Sequence, residues 1–229
     1  MIYSGLADYY DDLMTLDYDE FLGIWETMTD FRGNSIFEYG CGTGNMTKRL
    51  LPFVRSIDAA DASPEMLMLA RQKIQSPKVR FFLADDDFSI DQTYDKICLF
   101  VDVVNYLKPD KFAELLRIWQ DKLTPGGQIL FDVSSEHKLA RVLGDQIFRY
   151  DIPVGEIYWI NEYDEANRQL DFSLVIYQEQ SDGSFLREEE YHTQYVYTED
   201  DIRRLANHYD ITSHFTPERD YYSLRKKKQ

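Results

Sequence analysis

The sequence is poor in cysteine, histidine and positive charge. Its 229 residues include two cysteines and four histidines, and 25 lysines and arginines stand against 41 acidic residues, which gives a net charge of −16. Two cysteines without a CxxC pattern indicate a reducing, cytoplasmic setting. Because paired His or Cys motifs are also missing, we expect no metal site. The acidic balance argues against binding to nucleic acid or to an anionic membrane, since both need a basic footprint on the protein.

A long apolar run is also missing. The longest apolar stretch, residues 97–104, is interrupted by Asp102 and is too short to cross a bilayer. The acidic residues Asp8, Asp11 and Asp12 do not fit a signal peptide. A hydrophobic fraction of 44% with 15% aromatic residues excludes a wholly disordered chain. We therefore expect a folded cytoplasmic protein with a sizeable core.

Short apolar runs alternate with helical patterns between about residues 34 and 134. The segment Ser63-Pro64-Glu65 is typical of a helix start, with Ser as the N-cap and Pro at the first helical position. Alternation of strands and helices at this spacing predicts a mostly parallel sheet with helices on both faces. The five strands are expected at residues 35–39, 56–60, 79–84, 97–101 and 128–133.

The pattern changes after residue 143. Three segments rich in Tyr, Phe, Val and Ile show partial alternation, and Ser181-Asp182-Gly183-Ser184 is a turn signal between two of them. We interpret these segments, residues 157–163, 170–178 and 185–197, as an inserted antiparallel sheet. The expected organisation is an α/β domain formed by residues 1–149 and 198–229, with residues 150–197 as an inserted acidic, aromatic β lid.

A glycine-rich turn follows the first predicted strand. Gly40, Gly42 and Gly44 occupy alternate positions, and the missing Cβ atoms allow a ligand to lie against the backbone. Glu38 stands two residues before the first glycine. The dinucleotide fingerprint requires a glycine where Asn45 stands, so the pattern fits an NAD site poorly.

Acidic residues follow the next three predicted strands. Asp61 comes 21 residues after Gly40, Asp85-Asp86 follows the third strand, and Asp102 lies after the fourth. Open α/β sheets bind ligands at the carboxyl ends of their strands. Acids at successive strand ends beside a glycine-rich turn therefore predict a ligand site, whereas a single acid there would indicate a solvated turn.

Four motifs together resemble those of the class I S-adenosylmethionine-dependent methyltransferases, over most of the chain. They are Glu38-x-Gly40-x-Gly42-x-Gly44, the segment 61–67, the segment 81–85 and Leu123-Thr124-Pro125-Gly126-Gly127. The chain is most similar to a bacterial, YqeM-like branch of that family. The supporting motifs are Tyr10-Asp11, Asp102-x-x-Asn105-Tyr106-Leu107, Phe131-Asp132-Val133-x-Ser135 and Glu190-x-His192-x-Gln194.

The resemblance implies a Rossmann-like seven-stranded sheet with an antiparallel last strand, and S-adenosyl-L-methionine as the cofactor. It places Glu38 near the methionine amino group, Asp61 at the ribose hydroxyls and Asp85 at the adenine amino group. Asp102 would lie beside the methionine moiety or the transferring methyl. The expected cofactor-binding residues are Tyr10, Glu38, Gly40, Gly42, Gly44, Asp61, Met66, Asp85, Asp86 and Asp102.

The expected partner is a small-molecule methyl acceptor. Glu190, His192 and Gln194 share one face of a predicted strand, because side chains alternate along strands; a structural role for His192 is the alternative. Asn105 and Tyr106 could hold the acceptor or merely form a turn. The catalytic candidates are Asp102, Tyr106 and His192, and the substrate candidates are Asn105, Tyr106, Trp159, Glu190 and His192.

The predicted lid carries much of the negative charge. Residues 151–200 contain 13 acids, two arginines and six tyrosines, which accounts for 11 of the 16 excess negative charges. This segment either selects a neutral or cationic acceptor through Coulomb attraction and cation–π contact, or is a solvated outer face. Three other functions stay open: a nucleotide-dependent oxidoreductase, a non-catalytic S-adenosylmethionine-binding module and an RNA or ribosome-associated methyltransferase.

Overall fold

The computed structural model describes residues 7–14, 16–85 and 88–227. Asp86, one of the expected cofactor-binding residues, lies outside these ranges. The helices are α1 (Tyr10–Leu13), α2 (Tyr18–Met28), α3 (Asn45–Leu50), α4 (Pro64–Lys73), α5 (Pro109–Gln120) and α6 (Glu199–Leu205), with 3₁₀ turns at Ala7–Tyr9 and Val103–Tyr106 and a π-helix at Lys138–Leu143. In the described parts of the chain, every helix is too short or too polar to span a membrane.

Seven strands form the main sheet, in the order β10-β11-β5-β4-β1-β2-β3. Neighbours among β1 to β5 pair in parallel, whereas β11 is antiparallel to both β5 and β10. This confirms the predicted mostly parallel sheet with an antiparallel last strand. The strands are β1 (Ser35–Tyr39), β2 (Ser56–Asp61), β3 (Val79–Leu83), β4 (Tyr94–Leu99), β5 (Leu123–Ser134), β10 (Tyr209–Phe215) and β11 (Arg219–Lys226).

Local sequence explains where the flanking helices begin. The Ser63 hydroxyl accepts the N–H of Met66 at 3.2 Å, and Pro64 starts α4, as its sequence predicts. Thr198 and Asp201 form a reciprocal capping box at the start of α6. The apolar stripe of α5 packs into the core on one side of the main sheet. Its buried members are Phe112, Leu115, Leu116 and Trp119.

Four antiparallel strands form a second sheet, in the order β6-β7-β8-β9. Its inner face packs on the π-helix, α1 and the 3₁₀ turn after β4, through Leu139, Leu143, Leu13 and Tyr106. The second sheet therefore covers the carboxyl-end region of β4 and β5. The strands are β6 (Ile147–Ile152), β7 (Gly155–Asp164), β8 (Gln169–Glu179) and β9 (Phe185–Tyr195), so the expected lid boundary at residue 150 falls inside β6.

Candidate cofactor and acceptor site

The glycine-rich turn joins β1 to α3. Gly40, Gly42 and Gly44 have φ values of 77°, 54° and 82°, in the left-handed region that glycine adopts without strain. A Cβ on Gly40 would lie 2.5 Å from Cγ2 of Val103, whereas a Cβ on Gly42 would meet nothing within 4 Å. Gly42 is thus where the backbone is open to a ligand, while Gly40 is required by packing.

Asp61 ends β2 and faces this turn. Its Oδ2 accepts the N–H of Gly42 at 2.7 Å, and its Oδ1 accepts the N–H of Ser63 at 2.9 Å. Burial raises the pKa of Asp61, and the hydrogen bonds from Ser63 and Gly42 partly offset this. Each carboxylate oxygen keeps a further lone pair. The side chain is therefore fixed in orientation and able to accept hydroxyl groups such as those of a ribose.

Glu38 lies inside the main sheet, beneath the glycine turn. Its side chain accepts a hydrogen bond of 2.5 Å from the hydroxyl of Thr47, and the residue is 2% exposed. Burial raises its pKa to about 7; the Thr47 hydrogen bond opposes this rise and the charge of Asp61 adds to it. A buried carboxyl group in this state gains a partner when a cationic amino group binds beside it.

The N-terminal helix α1 is tied to the glycine turn by Asp11. Its carboxylate accepts hydrogen bonds from Thr43 at 2.7 Å and Asn45 at 2.8 Å, and the Lys73 ammonium lies 2.7 Å from it. The Lys73 Nζ also donates to Thr43 and Asn45. We call this hydrogen-bonded group of Asp11, Thr43, Asn45 and Lys73 the clasp. Asn45 is part of it, which explains why asparagine can stand where a dinucleotide fingerprint has its third glycine. A cavity of about 330 Å³ lies beside the clasp, against α4.

Asp102 lies in the turn after β4, and its side chain contacts β9 and β11. It accepts a hydrogen bond of 3.0 Å from the Gln194 amide on β9, and lies 3.3 Å from the Arg219 guanidinium on β11. Arg219 also pairs with Asp132, which is fully buried in β5. Burial would raise the pKa of Asp102, but the charges of Arg219 and Lys138 and the Gln194 hydrogen bond outweigh it, so the pKa lies below its usual value.

Glu190, His192 and Gln194 lie on one face of β9, as their alternation predicts, and all three are buried. The Nε2 of His192 lies 3.3 Å from a carboxylate oxygen of Glu190. The imidazole stacks on Phe172 with the ring centroids 4.7 Å apart, and Tyr106 meets it edge-on at 6.3 Å. Since Gln194 reaches Asp102, this polar face adjoins the end of β4.

Comparison with known proteins shows similarity to methyltransferases. A methyltransferase domain model matches residues 36–127. The YqeM protein of Bacillus subtilis (strain 168), named as a candidate methyltransferase, is 35% identical over 157 residues, which are 65% of this chain and 62% of that protein. The crystal structure of an S-adenosylmethionine-dependent methyltransferase from Clostridium acetobutylicum ATCC 824 is similar with a TM-score of 0.80 and 26% identity, over 99% of both chains.

These similarities support a class I S-adenosylmethionine-dependent methyltransferase that is similar to the YqeM-like proteins. The cofactor prediction, S-adenosyl-L-methionine, is confirmed with the family. The amino pentose methyltransferase CalS10 of Micromonospora echinaspora, solved with S-adenosylmethionine bound, has the same fold, with a TM-score of 0.73 and 15% identity over 99% of this chain and 98% of that chain.

The open backbone at Gly42, the oriented Asp61 carboxylate and the buried Glu38 carboxyl group fit this cofactor in the methyltransferase. The remaining cofactor candidates have different surroundings. Met66 is buried at the start of α4, and Asp85 is exposed after β3. Tyr10 packs against the core of the second sheet. Their contacts with the cofactor stay predictions.

The predicted substrate residues of the methyltransferase differ in how they are held. Asn105 is fully buried; its amide donates to the carbonyls of Ser134 and Tyr195 and accepts the N–H of Ser134. This favours the structural alternative for Asn105, which joins the turn after β4 to β5 and β9. Trp159 packs on Phe172, 5.5 Å between ring centroids, inside the second sheet.

The acids of the second sheet mostly face solvent. Within residues 151–200, all of which are described, Glu190 is the one buried acid, and the others are exposed or half-buried. The geometry therefore favours a solvated outer face for most of this charge. Glu190 is the acid whose side chain points inward, towards His192.

Three residues near the site were absent from the predicted set: Asp11, Asp132 and Arg219. Asp132 had a recognisable signal, because it is an acid inside a strand of otherwise apolar residues. Arg219 had none, since 87 residues separate it from Asp132 and 117 from Asp102.

Proposed function

We propose that this methyltransferase transfers the methyl group of S-adenosyl-L-methionine to the nitrogen of a small-molecule amine. The observation that carries the proposal is the buried polar face of β9, which meets Asp102 through Gln194. A face with a carboxylate, an imidazole and an amide next to the cofactor strands is suited to recognising a small polar ligand.

The charges on this face favour a cationic or amine acceptor. Asp132 and Arg219 pair with each other. Two further carboxylates adjoin the polar face: Asp102, which Arg219 also contacts, and Glu190, which contacts His192. A buried excess of negative charge attracts a cation and repels an acid.

Aromatic rings provide the apolar walls. Phe172 stacks on His192, and Trp159 packs on Phe172. The buried Nε1 of Trp159 has no hydrogen-bond partner among the described residues. It can donate to a hydroxyl or ether oxygen of an acceptor, so a polyfunctional amine such as an amino sugar would satisfy more of the site than a simple alkylamine. CalS10, whose fold is the same, is an amino pentose methyltransferase.

The reaction requires an amine with a free lone pair. When bound, the cofactor supplies an electrophilic methyl group on a sulfonium, which an acceptor displaces in line. Asp102 and Glu190 hold the incoming ammonium by charge. His192, oriented by Glu190, accepts the proton that nitrogen must lose, so that nitrogen can form its bond to carbon as the carbon–sulfur bond breaks. The products are the methylated amine and S-adenosylhomocysteine.

The test is methyl transfer from labelled S-adenosylmethionine to panels of matched amino sugars and neutral sugars, read by mass spectrometry. We expect methylated product with amines and little with their hydroxyl counterparts. His192→Ala should lower the rate by about 100-fold while S-adenosylhomocysteine affinity stays within about twofold.

Tyr191→Ala is the matched control, because Tyr191 is the neighbouring residue on β9 and is 75% exposed. It should leave the rate unchanged. Methylation of the neutral panel alone would contradict the proposal. Cofactor binding without transfer to any panel would favour a non-catalytic binding module, and salt-sensitive transfer to RNA would favour a nucleic-acid substrate.

A further inference from the structure

The turn after β4 contains two consecutive non-glycine residues in the left-handed conformation. Val101 has φ 62° and Asp102 has φ 55°. A β-branched residue rarely adopts this conformation, because its Cβ substituents crowd the backbone. Such strain persists only where the surrounding structure holds it, and it is often found where a side chain must be aimed at a ligand.

Asp132 holds this turn from β5. Its Oδ1 accepts the N–H of Val101 at 2.7 Å, and its Oδ2 accepts the N–H of Asp102 at 2.8 Å. One buried carboxylate therefore binds both strained residues at their backbone. A neutral amide in its place could accept from one N–H but would direct its own N–H groups at the other.

Arg219 completes the arrangement from β11. The same guanidinium nitrogen, Nη1, contacts Asp132 Oδ2 and lies 3.3 Å from Asp102 Oδ1. The guanidinium also lies over the ring of Phe21 in α2, 5.6 Å from its centroid. Arg219 is therefore held by the main sheet and α2 while it bridges the two carboxylates.

We propose that Asp132 and Arg219 are positioning residues, which fix the turn after β4 so that the Asp102 carboxylate faces the cofactor and the polar face of β9. This inference rests on the proposed function in one respect, that Asp102 acts in the methyl-transfer site. A buried ion pair gives little net stability on its own, because desolvation offsets the attraction. The use of a carboxylate that binds two adjacent N–H groups is explained by the geometry that it imposes.

The first test needs no substrate. Amide hydrogen exchange of Val101 and Asp102 is measured in the full-length protein and in Asp132→Asn. We expect exchange at these two amides to accelerate by about tenfold or more. Asp58→Asn is the matched control, since Asp58 is also a buried aspartate in the same sheet and pairs with Arg80. It should leave the amides of Val101 and Asp102 unchanged.

The second test is a double-mutant cycle on S-adenosylhomocysteine affinity, measured by calorimetry. We expect Asp132→Asn and Asp102→Asn each to weaken binding by about tenfold. In the Asp102→Asn background, Asp132→Asn should add less than about twofold, because residues that act through a shared partner are not additive. A purely structural role would give the same loss in both backgrounds.

Arg219 variants give a test that survives poor folding of Asp132→Asn. Arg219→Gln should weaken S-adenosylhomocysteine binding, and Arg219→Lys should weaken it less, because an ammonium keeps a positive charge beside the two carboxylates. Unchanged amide exchange in Asp132→Asn, additive effects in the cycle, or unchanged binding by Arg219→Gln would each overturn the proposal. Failure of wild-type protein to methylate amines would overturn only the proposed function, because the exchange experiment does not depend on it.

Discussion

Two parts of the candidate site, the Asp61 carboxylate on the predicted cofactor side and the polar face of β9 on the proposed acceptor side, hold their charged groups in different ways. On the cofactor side, Asp61 is bound by the backbone N–H groups of Gly42 and Ser63. On the acceptor side, Glu190 contacts His192 and Gln194 contacts Asp102, side chain to side chain. A group held by backbone is fixed by the fold itself, whereas a group held by side chains can be replaced without altering it. The acceptor side is therefore where specificity can change independently of cofactor binding.

The largest effect is expected from removing a backbone-held acid. Asp61→Ala deletes the carboxylate that binds the glycine turn and is predicted to accept the ribose hydroxyls, and hydrogen bonds to charged groups are strong. We expect S-adenosylhomocysteine affinity to fall by about 100-fold, measured by calorimetry.

Asp121→Ala, at the exposed end of α5, should bind as the wild type does. If Asp61→Ala binds within a few-fold of the wild type, the cofactor side does not depend on this acid and the contrast between the two sides is lost.

A smaller effect is expected on stability. The pKa of Glu38 is raised from its ordinary 4.5 to about 7 by burial. The folded protein therefore binds more protons than the unfolded chain between these values, so the free energy of unfolding falls as pH rises through this window. Glu38→Gln should raise the free energy of unfolding at pH 8 by ~1–3 kcal/mol and weaken S-adenosylhomocysteine binding.

Urea denaturation across pH measures this prediction, and the same variant near pH 4 is its own control, because both forms are then neutral. A penalty of the same size at low and high pH would mean that Glu38 supports the fold through packing. The raised pKa of Glu38 would then not reflect a carboxyl group kept for cofactor binding.

The smallest effect is expected on the outer face of the second sheet. Glu162 and Glu179 are exposed there, and exposed charges are screened by water and salt. Their double replacement by Gln should change the KM for an amine by less than about twofold, whereas Glu190→Gln should raise it by about tenfold. Steady-state kinetics of the two variants compare the outer and inner faces directly. An equal rise in KM in both would mean that the acids of the whole second sheet, and not Glu190 alone, select the acceptor.

The sequence allowed the main sheet to be predicted because its signals are local. Strand–turn–helix alternation, the cap at Ser63 and the acids after each strand can all be recognised within a few residues. Strand β6 and helix α2 were not predicted from the sequence. In β6, only Ile152 is buried, so its apolar pattern is weak. The sheet is defined by pairing with β7, which becomes visible only in three dimensions.

The acceptor side could be predicted less completely. The spacing of Glu190, His192 and Gln194 correctly put them on one face, since alternation along a strand is a local property. The bridge from Arg219 to Asp132 and Asp102 depends on the order of β11, β5 and β4 in the sheet. No short-range pattern encodes such a contact, and its recognition required the fold.

Gly40 in the glycine-rich turn packs directly against Val103 in the turn after β4, so these two turns constrain each other. An alanine side chain at position 40 would lie within 2.5 Å of the valine, in the 3₁₀ turn that follows Asp102. The residue at position 40 is therefore constrained to glycine by the side chain of Val103 in the turn after β4. In diverging descendants of this enzyme, the loss of that glycine would require a smaller residue at position 103. The glycine-rich motif thereby restricts which residues can occupy the turn after β4.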